Sequence, residues 1–307
     1  MTAKYAYYPG CSLHSTAVEY DASFKAVAAK LDIELEEVPG WVCCGTSPAH
    51  STSHLLSIAL PIKNLALAEA AKATQMVVPC AACYSRFKFA LYDMHHDQKI
   101  GDEVKEIVGS SFQGNIKVLH PLEVIAKLPA AVLKENVKRQ IDDLKVVCYY
   151  GCLLTRPPKV VRFVAGGQTP PEAGDDVEYP TTMDKILENV GINVLDWSYK
   201  TDCCGGAFAL SETDAVLTLT QRILKNALEV GADAIVVACP LCHANPDTRQ
   251  AEINAKYNTN YNMPIYYFTQ LMGLAFGYSP EEMLINKHLT EPALLRNVGK
   301  EQSRMSW

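Results

Sequence analysis

Apolar positions along this chain alternate between short buried runs and helical spacing. Residues 4–8 predict a strand. Ala17, Tyr20, Phe24, Val27, Ala28 and Leu31 then fall on one face of a helix, and Thr16-x-x-Glu19 predicts a capping box at its start. Residues 33–38 predict a second strand, and 54–73 a helix started or kinked by Pro61. Residues 76–78 predict a buried strand. A second round follows, with strands at 146–150 and 235–238 and a helix over 215–230 stopped by Gly231. Strands at 116–119 and 265–268, each between helices, complete the two rounds.

Strands alternating with helices predict an α/β protein with largely parallel sheets. The expected architecture is two duplicated Rossmann-like α/β domains related by pseudo-twofold symmetry, 1–140 and 141–307. The boundary falls in a helical linker around residues 129–143. The second round is longer, and its extra length coincides with Gly166–Gly174, a loop by composition. After Pro280 the tail is polar, suited to wrapping a domain or docking a partner.

A length of 307 residues agrees with two domains. Net charge is −6 and no long Lys/Arg run occurs, which argues against a nucleic-acid partner. No uninterrupted apolar run reaches the roughly 18 residues of a membrane span. The opening residues, MTAKYAYYPG, carry no apolar signal segment, so a cytoplasmic protein is expected.

Eleven cysteines change the picture. Without an export signal, reduced metal ligands or redox groups explain them better than disulfides. Ten fall into two matching sets. Cys11 is followed after thirty-one residues by Cys43-Cys44, then after thirty-five by Cys80-x-x-Cys83. Cys152 is followed after fifty by Cys203-Cys204, then after thirty-four by Cys239-x-x-Cys242. Flanking residues repeat as well: Tyr7-Tyr8-Pro9-Gly10-Cys11 matches Tyr149-Tyr150-Gly151-Cys152, and each adjacent pair is followed by glycine. One unit has been duplicated. The cysteines follow the strands' carboxyl ends, where open α/β sheets hold ligands.

Zinc takes four ligands, and so does a cubane [4Fe-4S] cluster. Each set here offers five thiols, and adjacent cysteines suit two metals of a larger cluster better than one small ion. A zinc site with a spare cysteine is the bland alternative, but a spare has no reason to recur. Cys148 stands outside both sets on a buried strand and reads as core packing.

The two blocks resemble the cysteine-rich CCG domain, the first cleanly, the second with a longer first gap and a slightly short second one. Cys148-Tyr-Tyr-Gly-Cys152-Leu-Leu-Thr-Arg156-Pro157 and the later Asn286-Lys287-His288-Leu289 resemble the B subunit of heterodisulfide reductase. The resemblance covers essentially the whole chain. It implies two noncubane [4Fe-4S] clusters, one on Cys11, Cys43, Cys44, Cys80 and Cys83, the other on Cys152, Cys203, Cys204, Cys239 and Cys242. It implies reduction of the coenzyme M–coenzyme B heterodisulfide to two thiols in methanogenesis. The implied partners are the small ferredoxin-like subunit and the flavin-bearing subunit of heterodisulfide reductase, with a hydrogenase beyond them. Two electrons and two sulfurs suit two duplicated centres.

Within that reading His14 and His243 are candidates to donate a proton or to tune a cluster through hydrogen bonds. A satisfied surface or supporting histidine is the alternative for each. His50 and His54 are weaker candidates, and His95-His96 read as solvated. Arg156 and Lys200, with Arg86 behind them, are candidate cations for an anionic substrate. Gly45 and Gly205-Gly206 are expected to donate N–H bonds to sulfur. The tyrosines at 7, 8, 149 and 150 read as aromatic core. Two rival functions stay open: an electron-transfer CCG subunit of lactate, glycolate or succinate oxidation, and a noncatalytic zinc scaffold.

Overall fold

The computed structural model describes residues 3–109, 112–163, 175–209, 211–291 and 295. Two sheets of four parallel strands carry the chain. The first has the order β2-β1-β3-β4, from β1 (Ala3–Tyr7), β2 (Ile33–Glu37), β3 (Gln75–Val77) and β4 (Lys117–Leu119). The second has the order β6-β5-β7-β8, from β5 (Ile141–Tyr149), β6 (Ile192–Val194), β7 (Ala234–Val237) and β8 (Ile265–Tyr267). Strand for strand the orders correspond, so the duplication read in the cysteines is a duplication of α/β domains. The predicted loop at Gly166–Gly174 lies outside the described residues.

Burial explains the choice of strand. The central β7 reads Ala-Ile-Val-Val and is buried throughout, as a parallel strand covered on both faces must be. The helix Val18–Lys30 buries Tyr20, Phe24, Val27 and Ala28 along the predicted stripe. Its start differs from expectation. Ala17 is the N-cap and makes no side-chain bond, and a short helix, Gly10–Leu13, precedes it. The chain has already turned at Gly10, φ +68°, to set Cys11 beside the strand end, so the helix starts past Thr16. Pro61 lies inside the helix His54–Ala70, which is opened instead by Ser53, whose hydroxyl accepts from Leu56 N at 3.4 Å.

The repeats pack reciprocally. Helix Val18–Lys30 of the first lies on Phe268–Ala275 of the second, and Thr182–Asn189 of the second lies on Pro121–Ile125 of the first. Tyr20 stacks on Tyr267 at 4.3 Å and 5°, and Ser23 Oγ meets Thr269 Oγ1 at 2.7 Å in a buried contact. Exchange of equivalent helices is what an isologous pairing of two copies produces.

A corresponding pair of capping boxes closes the scheme. His120 and Glu123 cap the helix after β4, and Tyr267 and Gln270 cap the helix after β8. The register places Val77 beside Leu119 and Val236 beside Tyr266, so His120 and Tyr267 occupy the same place in their repeats.

Candidate redox centre

Eight cysteines of the two sets follow the carboxyl ends of strands, and Cys83 and Cys242 lie in the first turn of the helices after β3 and β7. Cys11 and Cys152 follow β1 and β5, Cys80 and Cys239 follow β3 and β7, and the adjacent pairs follow β2 and β6. In the first set Cys43 adjoins Cys44, the Cys44 thiol lies 3.1 Å from that of Cys83, and the Cys83 thiol lies against that of Cys80. Cys11 lies near enough to Cys43 for its charge to be felt there. In the second set the Cys204 thiol lies against that of Cys242, Cys242 against Cys239, and Cys152 against Cys203. The sets join where the thiols of Cys80 and Cys239 meet.

From Cys43 to Cys204 the sulfurs therefore form an unbroken run through the boundary between the repeats. Its centre is buried, while Cys11, Cys43 and Cys203 are exposed and Cys152 is half-buried. Cys148 is separate. It is fully buried in β5 and its nearest charged neighbours are Asp184 and Lys200. A cavity of about 440 Å³ lined by Ala66, Glu69, Phe112 and Asn115 touches none of the cysteines.

Local devices repeat around the two sets. Gly45 N donates to Cys43 Sγ at 3.4 Å and Gly205 N to Cys203 Sγ at 3.3 Å, from φ of +79° and +76°. Glycine accepts that backbone without penalty. Gly10 and Gly151 share φ +68°, and a Cβ there would press on the sulfurs of Cys83 and Cys242. Tyr8 donates its phenol to Val42 O at 2.8 Å, and Tyr149 donates to Asp202 O at 2.6 Å. Each carbonyl belongs to the residue before an adjacent pair. These two tyrosines are core, as expected, and they also pin the Cys-Cys loops. The sequence signal for that role is the spacing Tyr-x-x-Cys common to both repeats.

Thiol-to-thiol bonds push neighbouring groups apart in acidity. Hydrogen bonds from Cys43 and Cys83 bring Cys44 down to about 3, and the bond from Cys152 brings Cys203 down to about 6. Bonds from Cys242 and Cys80 hold Cys239 well below the usual thiol range, while Cys80, Cys83 and Cys242 are pushed up by the same contacts and by burial. Such a crowd of sulfurs, part of it held as thiolate, is a donor set for a metal centre of several thiolates. The five-fold convergence in each half, with glycine where a Cβ would intrude, fits a thiolate-ligated cluster.

The remaining candidates scatter. His14 is half-exposed near the first set, its Nε2 3.4 Å from Glu37 Oε1 and its ring edge-on to Trp41. His243 is buried and its ring is engaged by the Ile265 carbonyl and by His288 Nδ1 at 2.6 Å, so neither nitrogen reaches a substrate. Arg156 is half-exposed and holds Glu178 and Thr201, both at 3.1 Å. Lys200 does not fit the expected role of substrate cation, because it is 2% exposed, with its ammonium 2.6 Å from Asp184 Oδ1. Its carbonyl accepts from Tyr150 N and Gly151 N, so Lys200 braces the turn before Cys152. Arg86 lies over the Phe89 ring. His50, His54, His95 and His96 are exposed.

His120 is a residue that no sequence motif singles out. Its Nε2 lies 2.9 Å from Pro79 O and 3.0 Å from Ala238 O, and its Nδ1 accepts from Leu122 N. The two carbonyls belong to equivalent residues, each immediately before the first cysteine of a CxxC. One imidazole N–H thus ties the two sets at their junction.

A 29% identical protein of Wolinella succinogenes, the 8-methylmenaquinol:fumarate reductase membrane anchor subunit, aligns with 96% of this chain over its whole length. The B subunit of the ferredoxin:CoB-CoM heterodisulfide reductase of Methanosarcina mazei is 28% identical, covering 94% of each chain. The B subunit of the ferredoxin/F(420)H(2)-dependent CoB-CoM heterodisulfide reductase of Methanosarcina acetivorans is 29% identical, covering 93% of each. Among the described residues no helix is long and apolar enough to cross a membrane. A solved chain, a hypothetical protein from Helicobacter pylori, superposes on 95% of this one with TM-score 0.72 at 13% identity. This chain spans about half of that one, 52%, and the likeness shows the fold alone. The profile of the cysteine-rich domain, CCG, matches residues 5–88 and 146–245. The chain belongs to the CCG cysteine-rich domain family and carries its domain twice.

Proposed function

We propose that this chain is the iron–sulfur redox subunit of a multi-subunit oxidoreductase that splits a small-molecule disulfide of the CoB–CoM type into two thiols. The observation carrying this reading is the run of thiols joined at Cys80 and Cys239. Two five-cysteine sets in contact suit a reaction that consumes two electrons together, since RSSR′ plus two electrons and two protons gives RSH plus R′SH. Cys11, Cys43, Cys44, Cys80 and Cys83 would hold one noncubane [4Fe-4S] cluster, and Cys152, Cys203, Cys204, Cys239 and Cys242 the other. When bound, these clusters supply one-electron redox steps and iron sites with affinity for sulfur.

The chain's own residues do the rest. Gly45 and Gly205 aim N–H groups at sulfur, lowering the basicity of the exposed thiolates. Tyr8 and Tyr149 fix the loops that carry those thiolates. His14 Nε2, half-exposed three residues past Cys11, would hand a proton to a departing thiolate, with Glu37 as its acidic neighbour. Arg156 is the half-exposed cation nearest in sequence to Cys152 and suits an anionic substrate. Electrons would arrive from ferredoxin-like and flavin-bearing partner subunits.

A second reading is favoured by the Wolinella relative, which matches over its whole length. In it the same centres pass electrons between a quinol and a partner enzyme. Anaerobic chain reduced with a viologen dye separates the two. Turnover of the coenzyme M–coenzyme B disulfide with none of a menaquinone analogue supports the first reading; the reverse pattern rejects it.

A further inference from the structure

Beyond the cysteines, the second repeat buries a constellation that its redox role does not use. His243, Asp247 and His288 are each under a tenth exposed, and their ligand atoms lie within 4.8 Å of one another. His243 and Asp247 are one turn apart on the helix Pro240–Thr248, so both project from one face. His288 comes from the segment after the short 3₁₀ turn Ile285–Lys287 and lies against that face.

The hydrogen bonds around the pair fix where its protons sit. Gln270 Oε1 accepts from Tyr267 N at 2.9 Å, and its Nε2 donates to Met283 O at 2.9 Å, so the amide orientation is set by two backbone groups. That carbonyl oxygen faces His288 Nε2 at 3.0 Å, which must therefore carry the hydrogen. His243 likewise spends one nitrogen on the carbonyl of Ile265. What remains is His243 Nε2 opposite His288 Nδ1 at 2.6 Å, two lone pairs directed at one another. Something positive belongs between them.

Two further observations point to a ligand. Asp247 adds a buried carboxylate, held by Leu289 N at 2.8 Å and Thr290 N at 3.0 Å, with lone pairs left over. Tyr266 is fully buried, its ring edge-on to His288 at 5.6 Å, and its hydroxyl has no partner among the described residues. Its acidity is lowered chiefly by burial and then by the charge of Asp247, which places the phenol near the carboxylate. Each imidazole donating its outer N–H to an oxygen is the arrangement that orients histidines bound to metal.

We propose that His243 Nε2, His288 Nδ1 and Asp247 bind a divalent transition-metal ion, Zn²⁺ by ligand type, distinct from the cysteine-held centres. Two imidazole nitrogens and one carboxylate oxygen are a zinc donor set with a fourth position for water, and the Tyr266 hydroxyl is the group to receive that water's hydrogen bond. Metal–nitrogen bonds of about 2.0–2.1 Å would set the nitrogens roughly 3.3 Å apart in a tetrahedron, under 1 Å wider than they stand. The ion would clip the segment 286–290 onto the helix that carries Cys242. The competing occupant is a shared proton. The zinc count below distinguishes the two.

The test is equilibrium dialysis of the full, anaerobically purified chain against Zn²⁺, with zinc and iron counted per chain. One zinc is expected in addition to the iron, and its absorption-edge spectrum should show nitrogen and oxygen neighbours with imidazole scattering and no sulfur. His288→Ala and His288→Gln should each lose that zinc and keep the iron. A wild-type chain that retains no zinc, variants that retain the same amount, or zinc surrounded by sulfur would each overturn the proposal. The spectrum of the wild type decides even where the variants fail to fold.

Discussion

The thiols of Cys80 and Cys239, equivalent residues of the two repeats, lie against one another in the interior. A single-set loss should therefore be felt as loss of the whole reaction. Cys44→Ser should empty the first set and Cys204→Ser the second, each removing about half of roughly eight irons, two four-iron centres. Both should abolish disulfide reduction. Cys148→Ala should keep all the iron, because Cys148 contacts neither set. Iron counts on the three variants check this. Loss of a centre with Cys148 and not with Cys204 would reverse the ligand assignment.

Gly151→Ala should be far worse than its position in a turn suggests. The added Cβ would overlap the Cys242 sulfur, whereas at Gly10 it would stop 3.3 Å from Cys83. Gly231 is the control, with φ +78° and nothing within 4 Å of a Cβ. There the left-handed backbone alone acts, at roughly 1–2 kcal/mol. Iron content should fall by about half in Gly151→Ala, less in Gly10→Ala, and stay constant in Gly231→Ala.

Lys200→Met should destabilise the chain by about 3–5 kcal/mol, since it strands the buried carboxylate of Asp184. Tyr150, whose phenol bonds Asp184 Oδ2 at 2.5 Å, would share the loss. Pairing the change with Asp184→Leu should recover part of it. Chemical denaturation of both variants measures the difference, and equal midpoints for the single variant and wild type would refute the ion pair's role.

His120 should make stability depend on pH in a known direction. Burial holds its imidazole down to about 4, against roughly 6.5 in the unfolded chain. Between those values the unfolded chain binds the proton and the folded one does not. Its contribution is thus intact above pH 6.5 and declines as pH falls toward 4, by at most about 3 kcal/mol. His120→Gln should cost about 1–3 kcal/mol at pH 7 through the carbonyls of Pro79 and Ala238. The gap between wild type and variant should narrow at pH 5. A gap that stays constant would mean the imidazole is not buried neutral.

Much of this is legible in the residues. The strands are well bounded because buried parallel strands have few ways to be written, as Ala234–Val237 illustrates. The two cysteine frames identify the duplication, and the glycine after each adjacent pair announces the N–H bonds to sulfur. What escapes depends on partners remote in sequence. Lys200 looks like a free cation because Asp184 reaches it only through the fold. His243 looks reactive because nothing near it in sequence reveals His288, forty-five residues away. The Thr16 cap fails because local capping preference yields to the turn that places Cys11. His120 gives no signal at all, since its counterpart in the other repeat is Tyr267 and comparison of the repeats hides it.

That last mismatch has a consequence for how such a protein can be assembled. The carbonyls of Pro79 and Ala238 converge on one imidazole nitrogen, and the Ala238 carbonyl also accepts from the Tyr20 hydroxyl at 3.3 Å. A pair of identical copies of the first half would bring two imidazoles to that point and no phenol ring for Tyr20 to lie on. Joining the halves in one polypeptide lets a histidine stand on one side and a tyrosine on the other. The symmetry is broken where the two cysteine sets adjoin, so whatever the halves hold is free to sit in two different surroundings.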